Sequence, residues 1–244
     1  MFYFNRSKYD FMEIYNCIAK YYPIGMLYEN NPAYNDYPGI KEMVRLLEEK
    51  IHDETNFSNG WQSVESEIQA TIQNEIIGTT YGQSPCYSSY IEIEKISTGE
   101  FVRYKELYFF ISLLGPFYTI VGQDRNEIRF DKNAFFNTNF LVISPENEFK
   151  ELFEKLVEQI EGKFVGYRFV PYFIYSQVID GLCNRFRRDN QSRVFEAIFN
   201  NQIDLGAPTL GSSVYKDEAW INKDYDFENE PKWVIYPPDH FEND

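Results

Sequence analysis

The chain has 244 residues, of which 43% are hydrophobic and 18% aromatic, and it carries a net charge of −15. A chain of that length and apolar content builds a core without disulfides or metals, burying on the order of 70–75% of the surface its unfolded form exposes. With an isoelectric point near 4.6 it repels duplex phosphates and offers no basic stripe long enough to neutralise several of them, so nucleic acid is excluded as a partner.

No stretch approaches 18 continuous apolar residues, and the opening Met1-Phe2-Tyr3-Phe4-Asn5-Arg6 is too short an apolar run for a signal-peptide core. Cys17, Cys86 and Cys183 are odd in number and widely scattered. They read as small apolar packing residues in a reducing compartment. A cytoplasmic protein without membrane contact is the expectation.

In chain order, residues 7 to 22 read as an amphipathic helix, with Phe11, Ile14, Tyr15, Ile18 and Tyr22 on one face, Ser7 as N-cap and Pro23 as stop. A Tyr-, Asn- and Pro-rich loop from Tyr28 to Gly39 follows. The next helix puts Ile40, Met43, Val44, Leu47 and Ile51 on one face, and a third runs from about Gly60 to Asn74. The period then changes to two. From Tyr90 to Phe130 apolar and polar residues alternate, Ser97-Thr98-Gly99-Glu100 supplies a hairpin turn, and Gly115-Pro116 breaks the long strand. Gln123-Asp124-Arg125-Asn126 is read as the turn of the next pair. The run Tyr108 to Leu114 is apolar on both faces and predicts a central strand covered on both sides.

A short strand Phe140 to Ile143 leads into a helix over about 145–161, with Ser144 as cap, Pro145 in its first turn and Gly162 at its end. A strand from Lys163 to about Tyr175 and a helix around Arg193 to Asn200 complete the regular elements, apart from a short strand at Trp233 to Tyr236. There is no internal repeat and no Gly/Ser linker. The pattern predicts one α+β unit over residues 1–244, an antiparallel β meander packed against several amphipathic helices, with an acidic, aromatic C-terminal segment over about 203–244.

The inventory of reactive residues is thin. His52 and His240 are the only histidines, and neither lies near a nucleophile-elbow pattern. Paired Cys/His spacings, a phosphate-binding loop and a calcium loop are all missing, so no metal and no cofactor are predicted. Asp131 followed by Glu148-Phe149-Lys150 has the residue order of a magnesium-dependent nuclease, but in the first turn of a helix Glu148 and Lys150 point about 200° apart. No residue is therefore put forward as catalytic. A hydrolase using only carboxylates leaves no motif and stays open as an alternative, as does a non-catalytic adaptor.

Two charge features remain. Asn184-Arg185-Phe186-Arg187-Arg188 is the one dense basic cluster, read as a solvated face paired with acids such as Asp180 and Asp189, with a phosphate or an acidic partner as the functional alternative. Residues 217–244 hold nine acids against Lys223 and Lys232, interleaved with aromatic rings. A surface of that kind docks onto a basic groove, rings as anchors and carboxylates steering the encounter. The predicted partner-binding residues are Trp220, Tyr225 and Trp233 as anchors and Asp224, Asp226, Glu228 and Glu230 as steering charges.

In general character the chain resembles the immunity proteins that bacteria carry against contact-delivered toxins. The likeness rests on acidity, aromatic content and α+β patterning, and on no diagnostic motif. It implies one-to-one binding to a basic toxin domain.

Overall fold

The computed structural model describes residues 7–29, 31–130, 135–186 and 191–226. Within them the long alternating middle forms a meander. Strands β2 (Cys86–Thr98), β3 (Phe101–Ser112), β4 (Phe117–Arg129) and β5 (Phe135–Val142) pair antiparallel in chain order, and β1 (Ile76–Gly78) adds to the free edge of β2. Two short parallel additions complete the sheet. β6 (Arg168–Phe169) lies against the start of β4, and β7 (Thr209–Leu210) lies against Leu141 and Val142 of β5. The fold is α+β, as the change of period predicts.

Helices cover both faces of one half of this sheet. Alternation sends Leu107, Phe109 and Ile111 to one side, where they meet Trp61, Ile68 and Ile72 and the stripe Phe153, Leu156 and Ile160. Ile68 and Ile72 belong to α5 (Ser63–Ile72), Trp61 to the helical turn just before it, and the stripe to α6 (Lys150–Lys163). Phe110, Phe117 and Val121 point the other way, into a second cluster with Ile14 and Ile18 of α1 (Met12–Tyr21), Ile174 of α7 (Tyr172–Tyr175) and Phe195 of α8 (Val194–Ile198). Phe109, Phe110 and Tyr118 are at 0% exposure, so β3 and β4 are buried on both faces here.

Between α1 and α5 the chain makes α2 (Pro32–Asp36), α3 (Pro38–Leu47) and α4 (Glu54–Phe57), with wider helical turns at Glu48–His52 and Ser58–Gln62. The stretch expected as a loop thus contains α2. Asn31 starts it by accepting the Ala33 N–H at 3.1 Å, with Pro32 at the first helical position.

Several expectations are corrected. α1 begins at Met12 and not Ser7, because residues 8–10 are extended and pair with the chain near Trp220: Asp10 donates its N–H to the Trp220 carbonyl and Asn222 its own to Lys8. Asp10 Oδ1 then accepts from Met12 N at 2.9 Å. Gln123 to Asn126 do not turn but continue β4, because their polar side chains find partners across the strands. Ser144 does not cap α6. Its Oγ accepts from the Ser212 N–H at 2.8 Å and so ties down the chain after β7, while a 3₁₀ turn at Asn147–Phe149 leads into the helix. The strand expected from Lys163 to Tyr175 is reduced to Arg168–Phe169, since Gly166 turns at φ +86° and Pro171 opens α7. The strand expected at Trp233 to Tyr236 lies outside the described residues.

Cys86 and Cys183 are buried and Cys17 is half-buried, all three as free thiols. Burial pushes the Cys17 thiol up to about 12, so it stays protonated and inert at neutral pH. Among the described residues no helix is long and apolar enough to cross a membrane.

Candidate functional site

The acidic C-terminal segment is the first place to look, and the structure divides it. Tyr215 stands edge-on to Phe153 and Phe169, with centroids 5.6 and 5.4 Å away. Lys216 reaches Glu161 at 2.5 Å, and Tyr9 donates its hydroxyl to Asp217 at 2.6 Å. Trp220 is a core residue at 1% exposure. Its ring stacks on Phe117 at 6.0 Å, its Nε1 donates to the Phe169 carbonyl at 2.7 Å, and the Arg168 guanidinium lies 4.5 Å from its centroid.

Trp220 is therefore spent inside the fold and offers no surface to a partner, which corrects its expected role as an anchor. Tyr225 is half-buried with Lys8 Nζ 5.9 Å from its ring, and Asp224 and Asp226 are exposed. Trp233, Glu228 and Glu230 lie outside the described residues.

The nuclease-like Glu148-Phe149-Lys150 order is a structural joint. Phe149 between the two charges is buried, its ring packed on Gly122 of β4. Glu148 binds Lys105 of β3 at 2.5 Å, and Lys105 also holds Glu94 of β2 at 3.0 Å. That hydrogen bond holds the Glu148 carboxyl below the ordinary carboxylate range, which fits an ion-pair partner and not a general base poised near neutrality. His52 is likewise occupied, Nε2 lying 2.8 Å from the Gly82 carbonyl.

The largest feature that sequence reasoning missed is the outer half of the sheet. Beyond Ile91, Leu107, Gly122 and Val142 the four strands run on with no helix beside them among the described residues, and several of their apolar residues become exposed. Register places them in rows. On the α6 side, Thr98, Phe101, Ile128 and Phe136 form one row, and Ile96, Arg103, Asn126 and Thr138 the next. Glu94, Lys105, Asp124 and Phe140 form the third. Phe136 is 55% exposed, Ile96 40% and Phe140 37%. The charges between them are paired: Arg103 binds Asp124 through two hydrogen bonds at 2.9 and 2.6 Å.

The opposite side of the outer half is aromatic and charged. At its boundary with the inner half, Tyr108 stacks on Tyr90 at 5.0 Å and donates its hydroxyl to the buried Glu106 at 3.0 Å. Tyr104 lies between two cations, Arg125 at 4.8 Å and Lys95 at 5.2 Å from its centroid.

The edges of this outer half differ. Along β2 the free edge carries Glu92, Glu94 and Lys95 and a register shift between Glu92 and Glu94, devices that discourage another strand from pairing. Along β5 the run Phe136-Asn137-Thr138-Asn139-Phe140 has no charge and no proline. Among the described residues, β7 pairs with β5 only at Leu141 and Val142. Among the described residues, the backbone groups from Phe136 to Phe140 that face away from β4 have no strand beside them, next to two exposed rings.

Comparison with known proteins finds no matching family model, no similar curated protein and no similar solved structure.

Proposed function

We propose that the chain is a cytoplasmic protein-binding inhibitor of the immunity type, which neutralises a basic toxin domain by one-to-one binding. The observation that carries this reading is the uncharged edge of β5 with Phe136 and Phe140 beside it. An extended segment of a partner adds there as a further strand, main-chain hydrogen bonds supplying affinity and the flanking rings supplying specificity. A net charge of −15 raises the association rate with a cationic protein and disfavours acidic competitors.

The buried position of Trp220 moves the proposed contact away from the C-terminal segment. Trp220 packs beside Phe117 at one end of β4, and the outer half lies toward Arg129 at the other. The 13 residues of β4 span about 40 Å at ~3.3 Å per residue. One face of a standard interface, about 800 Å², is only ~30 Å across. Trp220 and the outer half do not share one such interface. Asp224 and Asp226 then act as steering charges away from the β5 edge, and Tyr225 is not needed as an anchor.

The test is affinity capture from the native host, identification of the captured protein, and measurement of stoichiometry and kinetics with both components purified. The expected result is a 1:1 complex with a basic protein whose toxicity the chain relieves. Truncation after Asp226 leaves Trp220 in place, and it should lower the on-rate and flatten its salt dependence while leaving the off-rate unchanged. A raised off-rate would return the contact to the C-terminal segment.

A further inference from the structure

A second feature, on the far side of the molecule from α6, points to a small molecule. The chain just after α1, together with α2, α3 and the loop after Leu182, lines a cavity of about 110 Å³ that opens at its rim. That is roughly three quarters of the ~150 Å³ apolar cavity known to admit benzene. Tyr22, Tyr28 and Tyr34 contribute rings to it. The hydroxyls of Tyr22 and Tyr34 are spent on the carbonyls of Ala197 at 2.8 Å and Cys183 at 2.7 Å, so these two residues present little polarity to the space. The opposite wall is the stripe Ile40, Met43, Val44 and Leu47 of α3, at the spacing of a face that ought to be covered. Val44 is nevertheless 49% exposed.

The polar groups gather at the rim, where Asn35 and Gln83 are exposed and Arg185 is the one cation. Arg45, Arg103, Arg129 and Arg168 each pair with a carboxylate. Arg185 pairs with none among the described residues. Its single hydrogen bond, to the Gln83 carbonyl, is long at 3.5 Å. In a chain with 38 acids against 23 bases, an arginine that meets no carboxylate among the described residues, at the mouth of an aromatic cavity, presents its guanidinium to that space. Arg185 lines the same space as the Tyr22 and Tyr34 rings.

We propose that this cavity binds a small carboxylic acid with a compact apolar body, the carboxylate on Arg185 and the body between the tyrosine rings and the α3 stripe. The guanidinium fork matches a carboxylate in two parallel hydrogen bonds, and a neutral amide of the same shape cannot form the charged pair. The site is independent of the β5 edge and of the partner proposed there.

The experiment titrates the full chain with benzoate and with benzamide while following the methyl signals of Met43, Val44, Ile40 and Leu47. Benzoate is expected to shift these signals and to bind at least tenfold more tightly than benzamide. Arg185→Gln should bring benzoate down to the affinity of benzamide, and Val44→Trp should abolish both by filling the space. The proposal is overturned if neither compound moves the methyl signals, if acid and amide bind equally, or if folded Arg185→Gln binds benzoate unchanged. Should Arg185→Gln lose the native methyl spectrum, benzoate against benzamide on the unaltered chain decides alone.

Discussion

The same four strands lead two different lives. Over their inner half, Phe109, Phe110, Tyr118 and Ile120 are sealed between helices on both faces, with aromatic contacts such as Phe109 to Trp61 at 5.9 Å and Phe110 to Phe195 at 5.1 Å. Over the outer half the strands keep their pairing but lose their cover, and order comes from cross-strand partners such as Arg103 with Asp124 and Tyr104 with Arg125. The difference teaches where stability resides. Sealed rings gain the full transfer free energy, about 1.5–3 kcal/mol per side chain, whereas exposed rings gain only a part of it.

The largest effects should fall on the inner half. Phe109→Ala removes a ring from a site with no solvent to refill it and should cost about 3–5 kcal/mol. Trp220→Ala belongs to the same class, although the residue sits in an acidic surface segment, because its ring and its bond to the Phe169 carbonyl are both buried. In a chain of this size each should lower the melting temperature by about 6–20 °C, readable by calorimetry. A Trp220→Ala protein of unchanged melting temperature would show that the segment is not docked and would restore Trp220 as a surface residue.

The boundary between the halves is Gly122, directly opposite Leu107 and Val142. A Cβ placed there would lie 2.8 Å from both the Phe149 ring and Val142 Cβ. Neither neighbour has room to retreat, since both are buried. Gly122→Ala should cost about 1–3 kcal/mol by overpacking and should loosen the start of α6, measured as faster amide exchange around Phe149. The same change at Gly99, in the exposed hairpin at φ +59° with open space around it, strains only the backbone, by about 1 kcal/mol.

Two carboxyls report the contrast as opposite pH dependences. Glu148, at the outer half, has its pKa lowered, chiefly by the hydrogen bond from Lys105. Its stabilising effect is therefore present above the ordinary value of 4.5 and is lost as pH falls through the lower folded value. Glu65 of α5 reaches over the inner half to accept from Ser89, and burial raises its pKa. The unfolded carboxyl ionises first as pH rises, so Glu65 favours the fold below 4.5 and loses that effect as pH rises through the higher folded value. Glu148→Gln should destabilise at pH 7 and become neutral near pH 3. Glu65→Gln should be neutral to stabilising at pH 7. Melting temperatures from pH 3 to 7 check both signs.

Much of the inner half is legible in the sequence because burial writes itself as periodicity. Phe153, Leu156 and Ile160 announce one face of a helix, and the run from Tyr108 to Leu114, apolar on both faces, announces a strand covered twice. The outer half is harder to read for a physical reason: once no helix covers a strand, its residues need only suit their cross-strand neighbours. Asp124-Arg125-Asn126 then has the composition of a turn while lying in mid-strand, and the exposed rings of β5 look like core. Trp220 is misread in the opposite sense, because acids surround it in sequence and its burial depends on a carbonyl 51 residues away. Arg185 sits in a basic cluster that reads as a solvated face, and only the fold sets it beside Tyr22, Tyr28 and Tyr34.

The smallest effect on stability should accompany the largest effect on binding. Replacing Ile96, Phe136 and Phe140 together by Ser takes little from the folded state, each within about 0.5 kcal/mol plus a modest loss of strand propensity. Their side chains are already partly in water, so the melting temperature should fall only slightly. If this half of the sheet is the docking face, the loss is in contacts made only in the complex, and affinity for the captured partner should drop tenfold or more. The loss should appear in the off-rate, because apolar contacts form after encounter while the charges that govern the on-rate remain in place. Neutralising Asp224 and Asp226 should do the reverse, slowing association at low salt and leaving dissociation alone. A triple variant that keeps its partner at full affinity would leave the outer half as a strand extension without a role in recognition, and would turn the search toward the helix-covered faces.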